Sequence, residues 1–233
     1  QEARTQPGWR GDSLESVALA LDGDTELARQ RYEEMTSRGF GGRMEHSGLL
    51  ALQGKSADAA IDMRQAVEQC GSVPELCDIL ALQAVAWGAQ ADGTLSKPEL
   101  TRLLDRAIAV ADEGTGAAPR HRAFIALSVA YHVLRAGMDS ELQRRQPTLE
   151  ALVARSNDPR LQELWGIVRA RAELEAGNAK AASMLLERVS GGTLYQWHVL
   201  RLDIDQALGR DAAVQGKTRW LRQRTGLVFA EDA

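Results

Sequence analysis

The sequence predicts an all-α protein in which about six antiparallel helix pairs stack into an α-solenoid. Apolar residues recur at helical spacing through most of the chain, and strand signals are essentially absent. Turn glycines also recur about 31 to 44 residues apart, each between two helical stretches. That period, with two helices per unit, is typical of stacked helical hairpins. The turn glycines are Gly23, Gly54, Gly93, Gly137, Gly177 and Gly209.

The clearest turn lies in residues 174–189, LEAGNAKAASMLLERV. A helix rich in Ala, Arg and Glu ends near Ala176, and Gly177 tolerates the positive φ of a helix C-cap. Asn178 is a favourable residue at the start of the next helix. One such pair cannot bury its apolar stripe alone, so neighbouring pairs are expected to stack into one continuous core.

Residues 1–12 predict an irregular lead-in, because proline and glycine interrupt them, and a single repeat domain is expected over 13–233. Pro147 falls inside the second helix of the fourth pair. We expect that helix to end or bend there, because proline lacks an amide donor and crowds the preceding turn. The six predicted pairs are 13–21 with 25–35, 43–53 with 57–67, 74–90 with 99–111, 120–136 with 140–154, 159–173 with 180–186, and 193–208 with 212–223.

Counted from the turn glycine, a small residue recurs on five of the six first helices, and Leu202 takes that position in the sixth. An alanine recurs on three of the second helices, each followed by a large residue four positions later. The first-helix positions are Ser16, Ser47, Ala86, Ala130 and Ala170; the second-helix positions are Ala28, Ala59 and Ala182, with Val214 a near match; the large residues are Tyr32, Met63 and Leu186. This pattern resembles the tetratricopeptide repeat (TPR) family, whose 34-residue unit has small residues at set positions. The resemblance spans nearly the whole chain and implies a right-handed superhelix.

In that family the first helix of each unit lines a concave groove, where partners bind. Aromatic residues and arginine dominate binding hot spots, because they combine a large contact area with a polar group. For Trp87 the alternative is a position in the core between repeats, since aromatic side chains are often buried. The groove positions that the resemblance implies are Gln83, Trp87, Tyr131, Arg135, Arg171 and Asp203.

The sequence favours a non-enzymatic scaffold that binds a protein or peptide segment, without a metal or cofactor. No HExxH or GxSxG pattern is present, and none of the histidines is spaced for zinc. Residues 88–99 resemble the turn of a calcium loop. Gly88 and Gln90 stand where its first and third positions need carboxylates, so a plain turn is the better interpretation.

A second functional interpretation is based on residues 207–229. They are similar to C-terminal helical repeats of bacterial membrane-anchored signalling proteins. That resemblance implies a sensor or regulatory ectodomain of a larger signalling enzyme. It would recognise a small ligand or mediate self-association, so a homodimer is left open.

Charge and hydropathy limit the partners further. The net charge of −4 and the pI near 5.7 argue against a general nucleic-acid binder, which needs a dominant basic face. No apolar run approaches the roughly 18 residues that a membrane helix needs.

Cys70 and Cys77 are the two cysteines of the chain. If one closes a helix and the other opens the next, their Cβ atoms come within reach of a disulfide, which we predict. The alternative is two small buried residues in a reduced protein. With Gln1 in place of an initiator methionine, the expected disulfide favours an extracytoplasmic location, such as the bacterial periplasm, over the cytoplasm.

Overall fold

A computed structural model describes residue 19 and residues 23–36, 41–70, 74–92, 95–112, 118–189, 192 and 194–222. These residues form eleven α-helices and no β-strand, which confirms the all-α prediction for this part of the chain. None of these helices is long and apolar enough to cross a membrane. The helices are α1 Thr25–Thr36, α2 Gly41–Leu52, α3 Ser56–Gln69, α4 Pro74–Asp92, α5 Lys97–Asp112, α6 Ala118–Arg135, α7 Asp139–Ser156, α8 Pro159–Glu175, α9 Ala179–Arg188, α10 Tyr195–Ala207 and α11 Asp211–Arg222.

Contacts divide the helices into two compact units, with the boundary between residues 94 and 95. In the first unit, α1 packs against α2, α2 against α3, and α3 against α4. In the second unit, α5 to α11, the main contacts join helices that are adjacent or next but one. There α8 contacts both α6 and α10, so these three helices pack in series. A single repeat domain over 13–233 stays a prediction.

Five of the turns that contain a predicted glycine share one hydrogen-bond pattern. The residue after each glycine donates its N–H to the carbonyl of the residue five positions before the donor, at N···O distances of 2.8 to 3.2 Å. This is the bond that defines a Schellman C-cap, and it needs a left-handed residue at the glycine position. Gly93 lies outside the described residues. The five glycines are Gly23, Gly54, Gly137, Gly177 and Gly209, with φ between +65° and +90°.

Local capping also explains where α8 begins and how α9 follows it. The Asp158 carboxylate accepts a hydrogen bond from the backbone N–H of Arg160 at 2.9 Å, and Pro159 occupies the first turn. Asn178 occupies the N-cap position of α9, but its side chain caps nothing there. Its Nδ2 instead donates to Glu173 Oε2 at 3.0 Å, which ties the turn back to α8.

The helix α7 continues through Pro147, so it does not end there. A bend at this position, which was the other expectation, stays a prediction. Proline removes the hydrogen bond that would go to the carbonyl of Gln143. Both Pro147 and Gln143 are exposed, so water can satisfy that carbonyl. The loss of one hydrogen bond on the solvent side therefore does not interrupt the helix.

The core is built from the positions that the repeat register singles out. Small residues there let helix backbones approach closely, and the large residues fill the space between pairs. Ala86 and Val214 are half-buried, and Ser16 lies outside the described residues. Fully buried positions of the register are Ser47, Ala130 and Ala170 on first helices, Ala28, Ala59 and Ala182 on second helices, and the large residues Tyr32, Met63 and Leu186.

Cys70 and Cys77 are joined by a disulfide, with their Cα atoms 5.7 Å apart. The bond connects the end of α3 to the first turns of α4. Cys70 is buried together with Met63 and Leu80, and Cys77 packs against this cluster. The disulfide is thus part of the core of the first unit.

Replacing Cys77 with alanine is expected to lower the free energy of unfolding of the first unit by about 2 kcal/mol, because the short closed loop no longer restricts the unfolded chain. Urea denaturation of both proteins without reductant measures this difference. A titration of the unreduced, unfolded protein should find no free thiol. Two free thiols would contradict the bond.

A cationic and aromatic cluster joins α11 to α10, although α11 has no buried residue. The Lys217 ammonium lies 5.4 Å from the centre of the Trp197 ring and 4.8 Å from that of Trp220. Its Nζ is also 3.3 Å from Nδ1 of His198. Burial lowers the pKa of Lys217, and the positive charge of Arg201 adds to this effect. Cation–π contacts therefore replace a deep apolar interface at this helix.

Candidate functional site

Arg171 of α8 connects neighbouring helices at the centre of the second unit. Its Nη1 donates to Asp203 Oδ2 of α10 at 2.5 Å, and its Nη2 lies 2.5 Å from Glu175 Oε1. The Arg171 side chain is 11% exposed, whereas that of Asp203 is 36% exposed. Charge-assisted bonds of this length are strong, so Arg171 fixes the position of a carboxylate that faces solvent.

Tyr131 of α6 completes the connection from the other side. The guanidinium carbon of Arg171 lies 5.8 Å from the centre of the Tyr131 ring, within cation–π distance. Tyr131 is only 2% exposed. Burial raises the pKa of Tyr131 to about 12, against the opposing charges of Arg171 and Arg135. The phenol therefore stays protonated at neutral pH and keeps its hydrogen-bond donor.

Several buried polar atoms of this region have no hydrogen-bond partner within the described part of the chain. They are Ser128 Oγ, Tyr131 OH and Arg171 Nε. Ser128, Tyr131 and Arg135 are spaced by three and four residues, so they share one face of α6. Buried polar groups in native proteins are nearly always satisfied, and unsatisfied ones call for an explanation. We name this set, Ser128, Tyr131, Arg135, Arg171 and Asp203, the Arg171 face.

His132 lies next to Tyr131 on α6. Its Nδ1 is buried without a hydrogen-bond partner in the described residues. Burial lowers the pKa of His132 to about 4, and the charges of Arg135 and Arg171 act in the same direction. His132 is therefore a neutral ring that packs edge-on against Tyr131, with centroids 5.8 Å apart.

The groove positions predicted from the sequence fall into two groups. Tyr131, Arg171 and Asp203 come together as described, and Arg135 is exposed in the last turn of α6. Gln83 and Trp87 lie on α4, which belongs to the first unit. Gln83 is half-buried there, and the Trp87 side chain lies outside the described residues. The part that these residues play in binding stays a prediction.

Sequence reasoning missed two members of the site, Glu175 and Ser128. Glu175 follows Arg171 by four residues, the spacing of an ion pair along one helix face, so its role was detectable. Ser128 precedes Tyr131 by one helical turn, but nothing in the sequence indicates that its hydroxyl is buried and unsatisfied.

A second polar cluster lies in the first unit and contains serine, aspartate and histidine. Asp62 Oδ2 accepts a hydrogen bond from Ser47 Oγ at 2.8 Å and lies 2.9 Å from His46 Nδ1. In a serine hydrolase the histidine stands between the other two, so that it can take the hydroxyl proton. Here the aspartate stands between them, and Ser47 is fully buried. This order does not activate a nucleophile.

Among the described residues, no group of three or more His, Cys, Asp or Glu side chains is arranged to hold a metal ion. Comparison with models of known protein families, with curated proteins and with solved structures finds no match for this chain. The function therefore has to be argued from the geometry of the chain itself.

Proposed function

We propose that this chain is a non-enzymatic, TPR-like helical-repeat scaffold that binds a protein or peptide segment on the Arg171 face. The five Schellman turns and the buried small residues support stacked antiparallel pairs. In such a solenoid the first helices of successive pairs lie side by side, and the series of contacts α6–α8–α10 agrees with that arrangement.

The observation that carries the binding proposal is the position of Arg171 between Tyr131 and Asp203. Tyr131 is buried and Arg171 is half-buried, so they hold the face in shape. Arg135 and Asp203 are accessible, and they offer one positive and one negative group to a partner. A polypeptide segment presents both carbonyl oxygens and N–H groups, which matches this pair better than a single charged molecule does.

An extracytoplasmic compartment such as the periplasm is also part of the proposal. The Cys70–Cys77 disulfide supports it, because structural disulfides persist in oxidising compartments and are rare in the cytosol.

Replacing Arg171 with alanine is expected to weaken partner binding by about tenfold, because Asp203 loses the donor that fixes its position. Titration of a fluorescent partner segment into each purified variant measures the affinity. Arg144→Ala is the control, since Arg144 is exposed and pairs with Glu141 of its own helix.

Circular dichroism establishes that each variant is folded before its affinity is compared. An affinity unchanged in Arg171→Ala would overturn the assignment of the face.

A further inference from the structure

A cavity of about 310 Å³ lies between α8 and α9, away from the Arg171 face. Arg169 and Arg171 are two residues apart on α8, so their side chains leave the helix about 200° apart. The cavity and the Arg171 face are therefore on opposite sides of this helix. The lining of the cavity includes Glu163, Gly166 and Arg169 of α8, and Leu185, Arg188 and Val189 at the end of α9.

Gly166 allows the end of α9 to approach α8 at this cavity. A Cβ atom at position 166 would lie 2.4 Å from Cγ2 of Val189, which is closer than any real contact. Glu163 is buried next to it, and its Oε1 accepts the backbone N–H of Leu194 at 3.2 Å. The carboxylate thus holds the chain that follows α9 and is not free for a ligand.

Two arginines of the cavity have no ionic partner within the described part of the chain. Arg169 and Arg188 are exposed, and neither forms an ion pair or a hydrogen bond with another described residue. Two other arginines of the same unit are paired: Arg145 with Asp105 at 2.5 Å, and Arg201 with Asp205 at 3.0 Å. Within the described residues, the cavity therefore carries two guanidinium groups without an ion pair, one on each helix, and its lining contains one carboxylate, that of Glu163.

We infer that this cavity binds a small oxyanion that carries a short apolar group, an organic phosphate or a carboxylate. Guanidinium groups bind both anions through paired N–H···O bonds. The half-buried side chains of Leu185 and Val189 provide an apolar wall for the rest of the ligand. This inference does not rest on the proposed function, and a small ligand here is one of the two roles that the sensor interpretation of the chain offers.

The test uses NMR of the whole chain, titrated at constant ionic strength with butyl phosphate, butyrate, inorganic phosphate or butanol. The arginine Nε–H signals of positions 169 and 188 and the Val189 methyl signals report binding. Butyl phosphate, butyrate or both should saturate these signals at about 10 mM or below, with a larger response than inorganic phosphate gives. Butanol should have no effect. The acid that binds tighter identifies the anion.

The double variant Arg169→Gln/Arg188→Gln is expected to lose at least about tenfold in affinity, because both charge-assisted bonds are removed. The matched control is Arg219→Gln/Arg222→Gln, which removes two exposed charges of α11 and should bind as the parent does. Absence of saturation by either acid in the parent chain would overturn the inference. Equal losses in the two double variants would also overturn it, because they would show attraction by net charge alone.

Discussion

Replacing Leu186 with alanine is expected to lower the free energy of unfolding by about 3 kcal/mol. Leu186 lies on α9, is 0% exposed and occupies the large position of the repeat register. Removal of one methine and two methyl carbons from a packed interior costs the transfer free energy of those atoms. It also removes the van der Waals attraction between those atoms and the side chains around them. Urea denaturation followed by circular dichroism measures the change.

Met184 on the same helix is the matched control. It is 57% exposed, so Met184→Ala is expected to change the free energy of unfolding by about 0.5 kcal/mol or less. Similar losses in the two variants would contradict the register, because they would mean that α9 does not bury the Leu186 side of the helix.

Acidification is expected to destabilise the second unit through His132. In the unfolded chain the pKa of this residue has its ordinary value of 6.5, and in the folded chain burial lowers the pKa to about 4. Between these values the unfolded state binds more protons, so the stability present above pH 6.5 is lost as the pH falls to 4. At about 1.4 kcal/mol per pKa unit, the loss reaches about 3 kcal/mol.

The variant His132→Phe isolates this contribution, because phenylalanine keeps the edge contact with Tyr131 and cannot be protonated. Unfolding free energies of both proteins are compared at pH 7 and pH 4. We expect the loss of unfolding free energy between pH 7 and pH 4 to be about 3 kcal/mol smaller in the variant than in the parent protein. Equal losses would show that His132 is accessible to protons in the folded state.

Helices and turns of this chain follow from local sequence. Gly177 and the glycines equivalent to it set the turns, because a left-handed C-cap excludes most side chains. Apolar spacing then places each of the eleven described helices to within two residues of its observed bounds. The predicted helix 13–21 lies outside the described residues except at Leu19. Pro147 does not end α7, because the effect of a proline depends on whether the carbonyl that it leaves unpaired faces solvent.

The candidate site is harder to predict from the local sequence. The register places Tyr131 and Arg171 on successive first helices, and the structure brings them within 5.8 Å. The register does not predict how deeply a side chain is buried. Tyr131 is almost fully buried, although a groove residue was expected to contact a partner. The burial of His132 escaped prediction for a related reason: it depends on packing between helices and not on the residues next to it in sequence.

The measurement that tests the binding proposal most directly is site-specific photocrosslinking of the full chain in the cells that produce it. A photoreactive amino acid is placed at Arg135, on the Arg171 face, or at Ala154, which is exposed on α7. We predict an adduct with another protein at position 135 that is weaker in an Asp203→Asn background, and none at position 154. Equal adducts at both positions, or an adduct only between two copies of this chain, would contradict it.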